Sequence, residues 1–293
     1  MGTLVIVCAL AACLCFGASA VFQKRGVSEA APGQAPLPAR AIRGVLGNRA
    51  WQVGFALEML GWLAYVACVA VLGGELVAVQ PIVGSSIVVT IVLGVVLLGE
   101  RPRRGEWIAT AIMGAGGALT VIAQLVRGDA GTAALDVGGL VAYTIVVVAI
   151  GLGGVGAVAA RTRHPDLAWA LIAGACFSGS IMATRLVHVT FVADHPGAFP
   201  GVDALALWCL ASPAAWVMFV LSWGGFILTQ AAYRHGHVSI VEPLIAFTGL
   251  VVPSIGGVVA FDEPTTPAAL GAGALLLAGF ALLIASRARG ERA

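Results

Sequence analysis

The sequence predicts an all-α polytopic membrane protein with about nine transmembrane helices. Of its 293 residues, 60% are hydrophobic and only 10% are charged, whereas soluble domains carry about 25% charged residues. The mean hydropathy is +1.00. Apolar runs close to the length needed to cross a hydrocarbon core recur along the whole chain. They are continuous rather than alternating, which argues against a membrane β-barrel.

Nine apolar runs along the chain are long enough to cross the bilayer. We place them at residues 3–22, 51–72, 76–98, 105–126, 137–160, 167–191, 205–232, 238–260 and 268–286. The longest connection, 23–50, contains three prolines within seven residues. Because proline disfavours the interior of a helix, we predict no crossing in that connection.

The first run is similar to a secretory signal peptide in one respect. Ala18-Ser19-Ala20 resembles a cleavage site. However, no basic residue precedes the run, whereas Lys24 and Arg25 follow it. This order is typical of a retained helix that enters the membrane from outside.

The basic residues are distributed unevenly among the connections. Fourteen of the sixteen lysines and arginines follow an odd-numbered run, and only Arg127 and Arg185 do not. Cytoplasmic loops are enriched in lysine and arginine. The distribution therefore predicts a multi-pass protein of the cell (plasma) membrane, with its N-terminus outside and its C-terminus in the cytoplasm.

Two proline-containing runs have the same layout. Residues 78–102 read AVQPIVGSSIVVTIVLGVVLLGERP, and residues 240–264 read IVEPLIAFTGLVVPSIGGVVAFDEP. In each, an uncharged stretch follows a proline and closes with an acidic residue. Glu100 lies 19 residues after its proline and Glu263 lies 20 residues after its own.

The runs on either side of the proline runs also match. The first run contains LAACLCFGASAVFQKR and the sixth contains LIAGACFSGSIMATRL. This register matches Ser19 with Ser180 and Lys24 with Arg185. A glycine-rich run follows each proline run.

This correspondence predicts the domain organisation. Runs 1–4 match runs 6–9, and a shift of five crossings, being odd, turns the second copy upside down. We expect a first repeat at 1–126, a linking helix within 127–165 and a second, inverted four-helix repeat at 166–293 with a short cytoplasmic tail. Such repeats hold a site near the bilayer midplane and permit alternating access.

The proline run, the motif LLGERP and the glycine-rich run after it resemble the drug/metabolite transporter (DMT, EamA-like) superfamily. The number of runs is most similar to that of its NIPA-type magnesium transporters. Three stretches carry this resemblance: WQVGF and LGWLAYVA in the second run, HPDLAWALIAGACFSGSIMATRLV around the sixth, and TQAAYRHGHVSIVEP before the eighth. The resemblance implies a transport function, with magnesium as one candidate substrate. This sequence departs from the NIPA-type pattern in the second run. Trp62 and Tyr65 stand where that pattern has Glu and Asn, and Glu58 lies one turn earlier.

Ionisable groups inside a membrane are costly and usually face a cavity or a partner. Glu58 in the second run and Glu242 in the eighth are therefore candidates for a cation or proton-coupling site. Gln80 precedes Pro81 as Glu242 precedes Pro243. Each proline frees a backbone carbonyl one turn earlier, which could also coordinate a cation.

Polar and aromatic residues extend this predicted pathway. Thr229 and Gln230 add polar groups in the seventh run. Trp62, Tyr65 and Trp223 could line an aromatic cavity, although packing or anchoring at the membrane surface is the commoner role of such residues.

The two carboxylates also have structural interpretations. Glu58 could make a buried hydrogen bond, and Glu242 could pair with Arg234 or His237. The pattern His235-x-His237 is a weak metal signal. No cofactor is predicted, and the identity of any bound metal stays open.

Charged residues also occur where runs end. We interpret Glu100 and Glu263 mainly as boundary residues, and we expect the charge of Glu242 to matter more than that of Glu263. Lys24 and Arg185 end matched stretches, where they either extend toward the membrane surface or bind an anionic group.

The predicted function is secondary transport of the DMT type by alternating access. The substrate is a small metabolite, a lipophilic cation or a divalent cation such as magnesium, and the other partner is the lipid bilayer. A lipid or glycolipid flippase, or an assembly subunit of the cell envelope, is the alternative on the same scaffold. A membrane enzyme is less favoured because the sequence shows no acid–histidine cluster and no nucleophile elbow, and no nucleic-acid partner is expected.

The predicted topology can be tested with single cysteines in a cysteine-free background. Arg292→Cys should resist a membrane-impermeant maleimide in intact cells and react after permeabilisation, because the tail is expected in the cytoplasm. Thr3→Cys should react in intact cells. Labelling of the tail before permeabilisation would contradict the predicted orientation.

Overall fold

The computed structural model describes residues 2–30, 44–99, 104–127, 135–159, 165–195, 202–235 and 238–290. This part of the chain is helical and contains no strand. In chain order, its longer helices are α1 Thr3–Ala30, α2 Arg49–Val66, α3 Leu76–Gly84, α4 Ser86–Leu98, α5 Arg104–Arg127, α6 Val137–Ala159, α7 Pro165–Asp194, α8 Val202–Ala211, α9 Pro213–His235, α10 Val238–Phe261 and α11 Pro267–Gly290. A π-helical turn, Ala67–Val71, continues α2.

Eight helical segments of the described chain are long and apolar enough to cross a membrane. They correspond to the first eight predicted runs, and the apolar segment Pro267–Leu282 of α11 corresponds to the ninth. Large apolar side chains on these segments are exposed, including Leu63, Val96 and Ile145. Extensive apolar exposure marks a surface that meets a membrane or a partner. The fold is therefore that of a polytopic helical membrane protein.

The first helix is longer than predicted. α1 ends at Ala30 rather than at residue 22. Its last turns carry an ion pair between Arg25 Nε and Glu29 Oε1 at 2.7 Å, four residues apart on one helix face. Ion pairs at this spacing stabilise a helix. The helix therefore continues past the end of the apolar run, which is where the sequence predicted it to stop.

The seventh predicted run, 205–232, is not one helix. It is divided at Ser212 into α8 and α9. Pro213 has no backbone N–H and opens α9, a position where proline is well tolerated. Only α9 contributes a span of the seventh run that is long enough to cross a membrane.

The third predicted run is interrupted at a single residue. Ser85 separates α3 from α4, and its N–H lies 3.2 Å from the carbonyl oxygens of both Pro81 and Ile82. The Ser85 hydroxyl also donates to the Ile82 carbonyl at 2.6 Å. By contrast, α10 is continuous from Val238 to Phe261.

Helices of the first and second halves make corresponding contacts. α1 packs against α2 and α4, and α7 packs against α9 and α10. Between the halves, α3 packs against α10 and α5 packs against α11. α6 lies against α7 and α10.

The contact between α5 and α11 is reciprocal. A Cβ added at Gly116 of α5 would lie 3.0 Å from the Ala272 carbonyl oxygen and 3.0 Å from a Leu276 carbon. A Cβ added at Gly279 of α11 would lie 3.0 Å from the Ala109 carbonyl oxygen and would overlap Met113. Small residues therefore let the two backbones meet closely, as is usual between membrane helices.

Gly279→Ala is expected to destabilise the protein by about 1–3 kcal/mol, because the added methyl group overpacks a closed helix contact. Gly273→Ala is the matched control on the same helix, since an added Cβ there meets nothing within 4 Å. Thermal unfolding in detergent measures both. Equal midpoints for the two variants would show that the α5–α11 contact can yield at no cost.

Candidate functional site

A cavity lies between helices of both halves and encloses about 160 Å³. Its walls come from α1, α2, α3, α4, α7, α9 and α10. The lining residues are Phe16, Ala20, Gln23, Glu58, Trp62, Tyr65, Gln80, Val83, Gly84, Ser86, Ile87, Thr90, Phe177, Ile181, Phe226, Thr229, Gln230, Ile245, Ala246 and Gly249. A concave site lined by aromatic and a few polar groups is typical of small-molecule binding.

Six residues that the sequence indicated for the pathway line this one cavity. They come from three separate regions of the chain and are Glu58, Trp62, Tyr65, Gln80, Thr229 and Gln230. The side chains of Glu242 and Pro243 lie outside the described part of the structure, so their predicted role stays a prediction.

Two other residues predicted for the pathway do not line this cavity. Pro81 is buried within α3, where its ring packs inside the protein. Trp223 is 38% exposed and packs against Phe55 and Phe226, with ring centroids 6.3 and 6.0 Å away. Trp223 therefore lies on the outward-facing side of α9. In a helix that is apolar all round, the sequence does not show which side faces outward.

A chain of hydrogen bonds joins α9 to α2 through α1. Gln230 Nε2 donates to Gln23 Oε1 at 3.1 Å, and Gln23 Nε2 donates to Ser19 Oγ at 2.9 Å. The Ser19 hydroxyl donates to Glu58 Oε2 at 2.6 Å. Glu58 is therefore held as an acceptor and is connected to the second half of the molecule.

The sequence interpretation did not assign Ser19 or Gln23 of this chain to the pathway, and Gln23 was placed outside the membrane altogether. It lies four residues after Ser19, on the same face of α1, and its side chain is only 4% exposed. The sequence did contain a signal for Gln23, namely a polar residue four positions after Ser19, which itself matches Ser180 in the second half. Placing the predicted helix end at residue 22 excluded Gln23 from the membrane.

A second hydrogen bond links α2 to α3 beside the cavity. Gln80 Nε2 donates to Tyr65 Oη at 2.6 Å, and each residue is 2% exposed. A buried polar group without a partner is costly, so each side chain fixes the other. Tyr65 thus lines the cavity from a defined position.

The aromatic part of the wall centres on Trp62. Its ring is stacked with Phe177 of α7, with centroids 6.1 Å apart and planes 30° apart. It meets Phe16 and Tyr65 edge-on at 5.8 and 5.7 Å. Side chains of three helices therefore form a rigid aromatic surface from both halves.

The described part of the lining carries one carboxyl group. Among the lining residues that the structure describes, Glu58 is the one Asp or Glu, and none is Lys, Arg or His. No cluster of three or more His, Cys, Asp or Glu side chains that could hold a metal ion occurs in the described ranges. The site therefore offers one negative charge, amides, hydroxyls and aromatic faces.

Glu263 differs from its predicted role, whereas Arg185 lies against a carboxylate, in line with the second of its two predicted alternatives. Both are 2% exposed, so Glu263 is not a simple boundary residue and Arg185 does not extend to the membrane surface. Arg185 Nε lies 3.0 Å from Glu263 Oε1. The pair joins α7 to the connection after α10, and a partner 78 residues away is not evident from an acidic residue at a helix end.

No protein-family model, curated protein or solved structure matches the chain. The resemblance to the drug/metabolite transporter superfamily therefore stays a prediction from the sequence motifs.

The bond between Tyr65 and Gln80 can be tested with a double-mutant cycle. Gln80→Leu should cost about 1–3 kcal/mol of stability, because it leaves the buried Tyr65 hydroxyl without its partner. The combination with Tyr65→Phe should cost less than the sum of the two single changes, by about 1 kcal/mol. Unfolding in detergent measures the cycle.

Gln52→Leu is the control for the loss of an amide, because Gln52 is exposed and its side chain donates to the Leu46 carbonyl. It should change the unfolding midpoint little. Strict additivity of Gln80→Leu and Tyr65→Phe would contradict the described bond.

Proposed function

We propose that the protein is a secondary transporter of the DMT type, that it works by alternating access, and that the central cavity binds a small organic cation. The observation that carries this proposal is the carboxylate of Glu58 in a cavity whose other described lining residues are aromatic, aliphatic or polar without charge. The cavity is built from both halves of the chain, as an alternating-access site requires.

The contacts between helices support the inverted repeat on which this mechanism depends. Ala109, Met113 and Gly116 have the same spacing as Ala272, Leu276 and Gly279, and each glycine contacts the other helix's pair. Reciprocal contacts are what a two-fold axis generates. An inverted repeat places such an axis in the membrane plane.

The contact of the first helix in each half supports the same relation. A Cβ added at Gly17 of α1 would lie 2.6 Å from the Ser86 carbonyl oxygen. At the matched position of α7, the Ser178 hydroxyl donates to the Thr248 carbonyl at 2.9 Å. In each half, a small residue of the first helix thus contacts one backbone carbonyl of the proline-containing run.

The chemistry of the lining favours an organic cation. A carboxylate in a low-dielectric cavity attracts a positive charge, and a cation over an aromatic ring gains about 0.5–2 kcal/mol. Mg²⁺ instead prefers an octahedron of oxygen ligands and is held through carboxylates, phosphates and water. One carboxylate beside Trp62 and Phe177 suits the first substrate better than the second.

The lining disfavours the flippase alternative. Phosphate-bearing lipid headgroups are anionic and are bound by Arg and Lys. The lining residues include no such cation and do include Glu58. We therefore do not propose a glycolipid substrate.

Glu58→Gln should abolish uptake of benzyltrimethylammonium, a compact quaternary ammonium ion with one ring, into proteoliposomes. The affinity of the protein for this cation should fall at least about tenfold, because the carboxylate charge of Glu58 is lost. Glu58→Asp should retain part of the uptake. Magnesium uptake by the unchanged protein should not exceed that of empty liposomes.

Glu29→Gln is the matched control, since Glu29 is an exposed carboxylate at the end of α1. It should leave uptake unchanged. Equal uptake of the probe by the protein and by Glu58→Gln would refute the cation site, and saturable magnesium uptake that depends on Glu58 would replace the substrate class.

A further inference from the structure

The cavity is not centred between the two ends of the helices. Along α1, the fully buried residues Val5, Ala9 and Ala12 precede the lining residues Phe16 and Gln23. Because α1 begins at the membrane face that carries the 72–75 connection, a packed layer separates the cavity from that face. Here this face is named the 72–75 face.

The other helices show the same order. In α2, the lining residues Glu58 and Trp62 precede the buried residues Cys68 and Val69, and α2 runs toward the 72–75 face. In α10, Ile245 lines the cavity, whereas the segment Ala260–Phe261 at the 72–75 face is buried. The packed layer therefore closes the cavity on one face of the membrane.

A buried ion pair lies in this closed layer. The side chains of Arg185 and Glu263 are 2% and 0% exposed. Arg185 Nη1 also donates to the Gly73 carbonyl at 2.8 Å, and Glu263 Oε2 accepts from the Val77 N–H at 2.9 Å. Two side chains thus tie α7, the 72–75 connection, the first turn of α3 and the end of α10.

The two charged groups of the pair are in contact without a direct hydrogen bond between them. Arg185 Nε and Glu263 Oε1 are 3.0 Å apart, but they are not aligned as a hydrogen bond, and neither atom has another hydrogen-bond partner among the described residues. A buried ion pair gains little stability over apolar packing, because both charges lose their hydration. Its best-supported role is to specify one arrangement rather than another.

The 72–75 connection turns at a glycine that α7 holds in place. Gly73 has a φ of +70°, which favours glycine. The ring of His188 lies directly against it, and a Cβ added there would be 2.6 Å from His188 Nε2. His188 Nδ1 lies 2.9 Å from the Ala70 carbonyl oxygen, so α7 holds both sides of this turn.

We propose that the Arg185–Glu263 pair is the gate on the 72–75 face, and that it separates when the cavity opens to that face. The inference rests on the proposed function, because it assigns the closed state of the same cavity. Opening moves Glu263 and the start of α3 away from α7, and water then hydrates both charges. The described arrangement is the state that is closed on the 72–75 face.

The gate is tested by cysteine accessibility, which requires no transport. Ala20→Cys, in a cysteine-free background, places a thiol in the cavity lining. A membrane-impermeant cationic methanethiosulfonate is added separately to each face of the membrane. In the otherwise unchanged protein, the thiol should react slowly from the 72–75 face.

Glu263→Gln should raise the reaction rate from the 72–75 face about tenfold and lower the rate from the opposite face. It leaves Arg185 buried without its partner charge, which favours the open state in which the guanidinium is hydrated. Arg185→Lys keeps the charge but loses the planar guanidinium, so it should shift both rates in the same directions by less. If Glu263→Gln does not give a single folded species in size-exclusion chromatography, Arg185→Lys is the variant used to test the gate.

Arg25 and Glu29 provide the matched control, because they form an exposed ion pair at 2.7 Å near the opposite end of α1. Glu29→Gln should change neither rate. Unchanged rates in Glu263→Gln and Arg185→Lys would overturn the gate, and so would an equal rise from both faces, which is the result of general loosening. Binding of benzyltrimethylammonium is measured on the same samples, so a failed gate is distinguished from a failed cation site.

Discussion

The organisation of this protein depends on one constraint, which is that a polar group inside hydrocarbon must find its partner within the protein. The described structure satisfies this constraint at two levels of the membrane. Nearer the end of α1, amides and hydroxyls connect Gln230 to Glu58. Nearer its start, Arg185 and Glu263 form an ion pair, and each also bonds one backbone group. The ion pair lies within the apolar layer and the hydrogen-bonded chain lies at the cavity, so the cavity and the proposed gate are distinct parts of one structure.

Much of the fold follows from composition and hydropathy. Apolar length predicts the crossings because the bilayer imposes a nearly constant helix length. The boundaries are less predictable, as α1 shows, because a helix continues through the membrane surface wherever side chains such as Arg25 and Glu29 support it. The division at Ser212 was also missed, although Pro213 was its signal in the sequence.

The candidate site was predicted in part for a physical reason. Glu58 and Gln80 are polar residues in apolar surroundings, and their cost in a membrane makes them conspicuous. The facing direction of Trp223 and the partner of Glu263 depend on helix rotation and on contacts between distant segments, and neither is encoded in local pattern. Gln23 shows the intermediate case, since its spacing from Ser19 was visible but its depth in the membrane was not.

The close contact between α5 and α11 has a consequence under the proposed inverted repeat. A two-fold axis maps Gly116 and its neighbours onto Gly279 and its neighbours, so the contact is its own image. If the two transport states are produced by the halves exchanging conformations, every contact away from the axis must be replaced by its symmetry mate. The α5–α11 contact is the exception. It stays the same in both states, and it can therefore be packed as tightly as stability requires without slowing the transition.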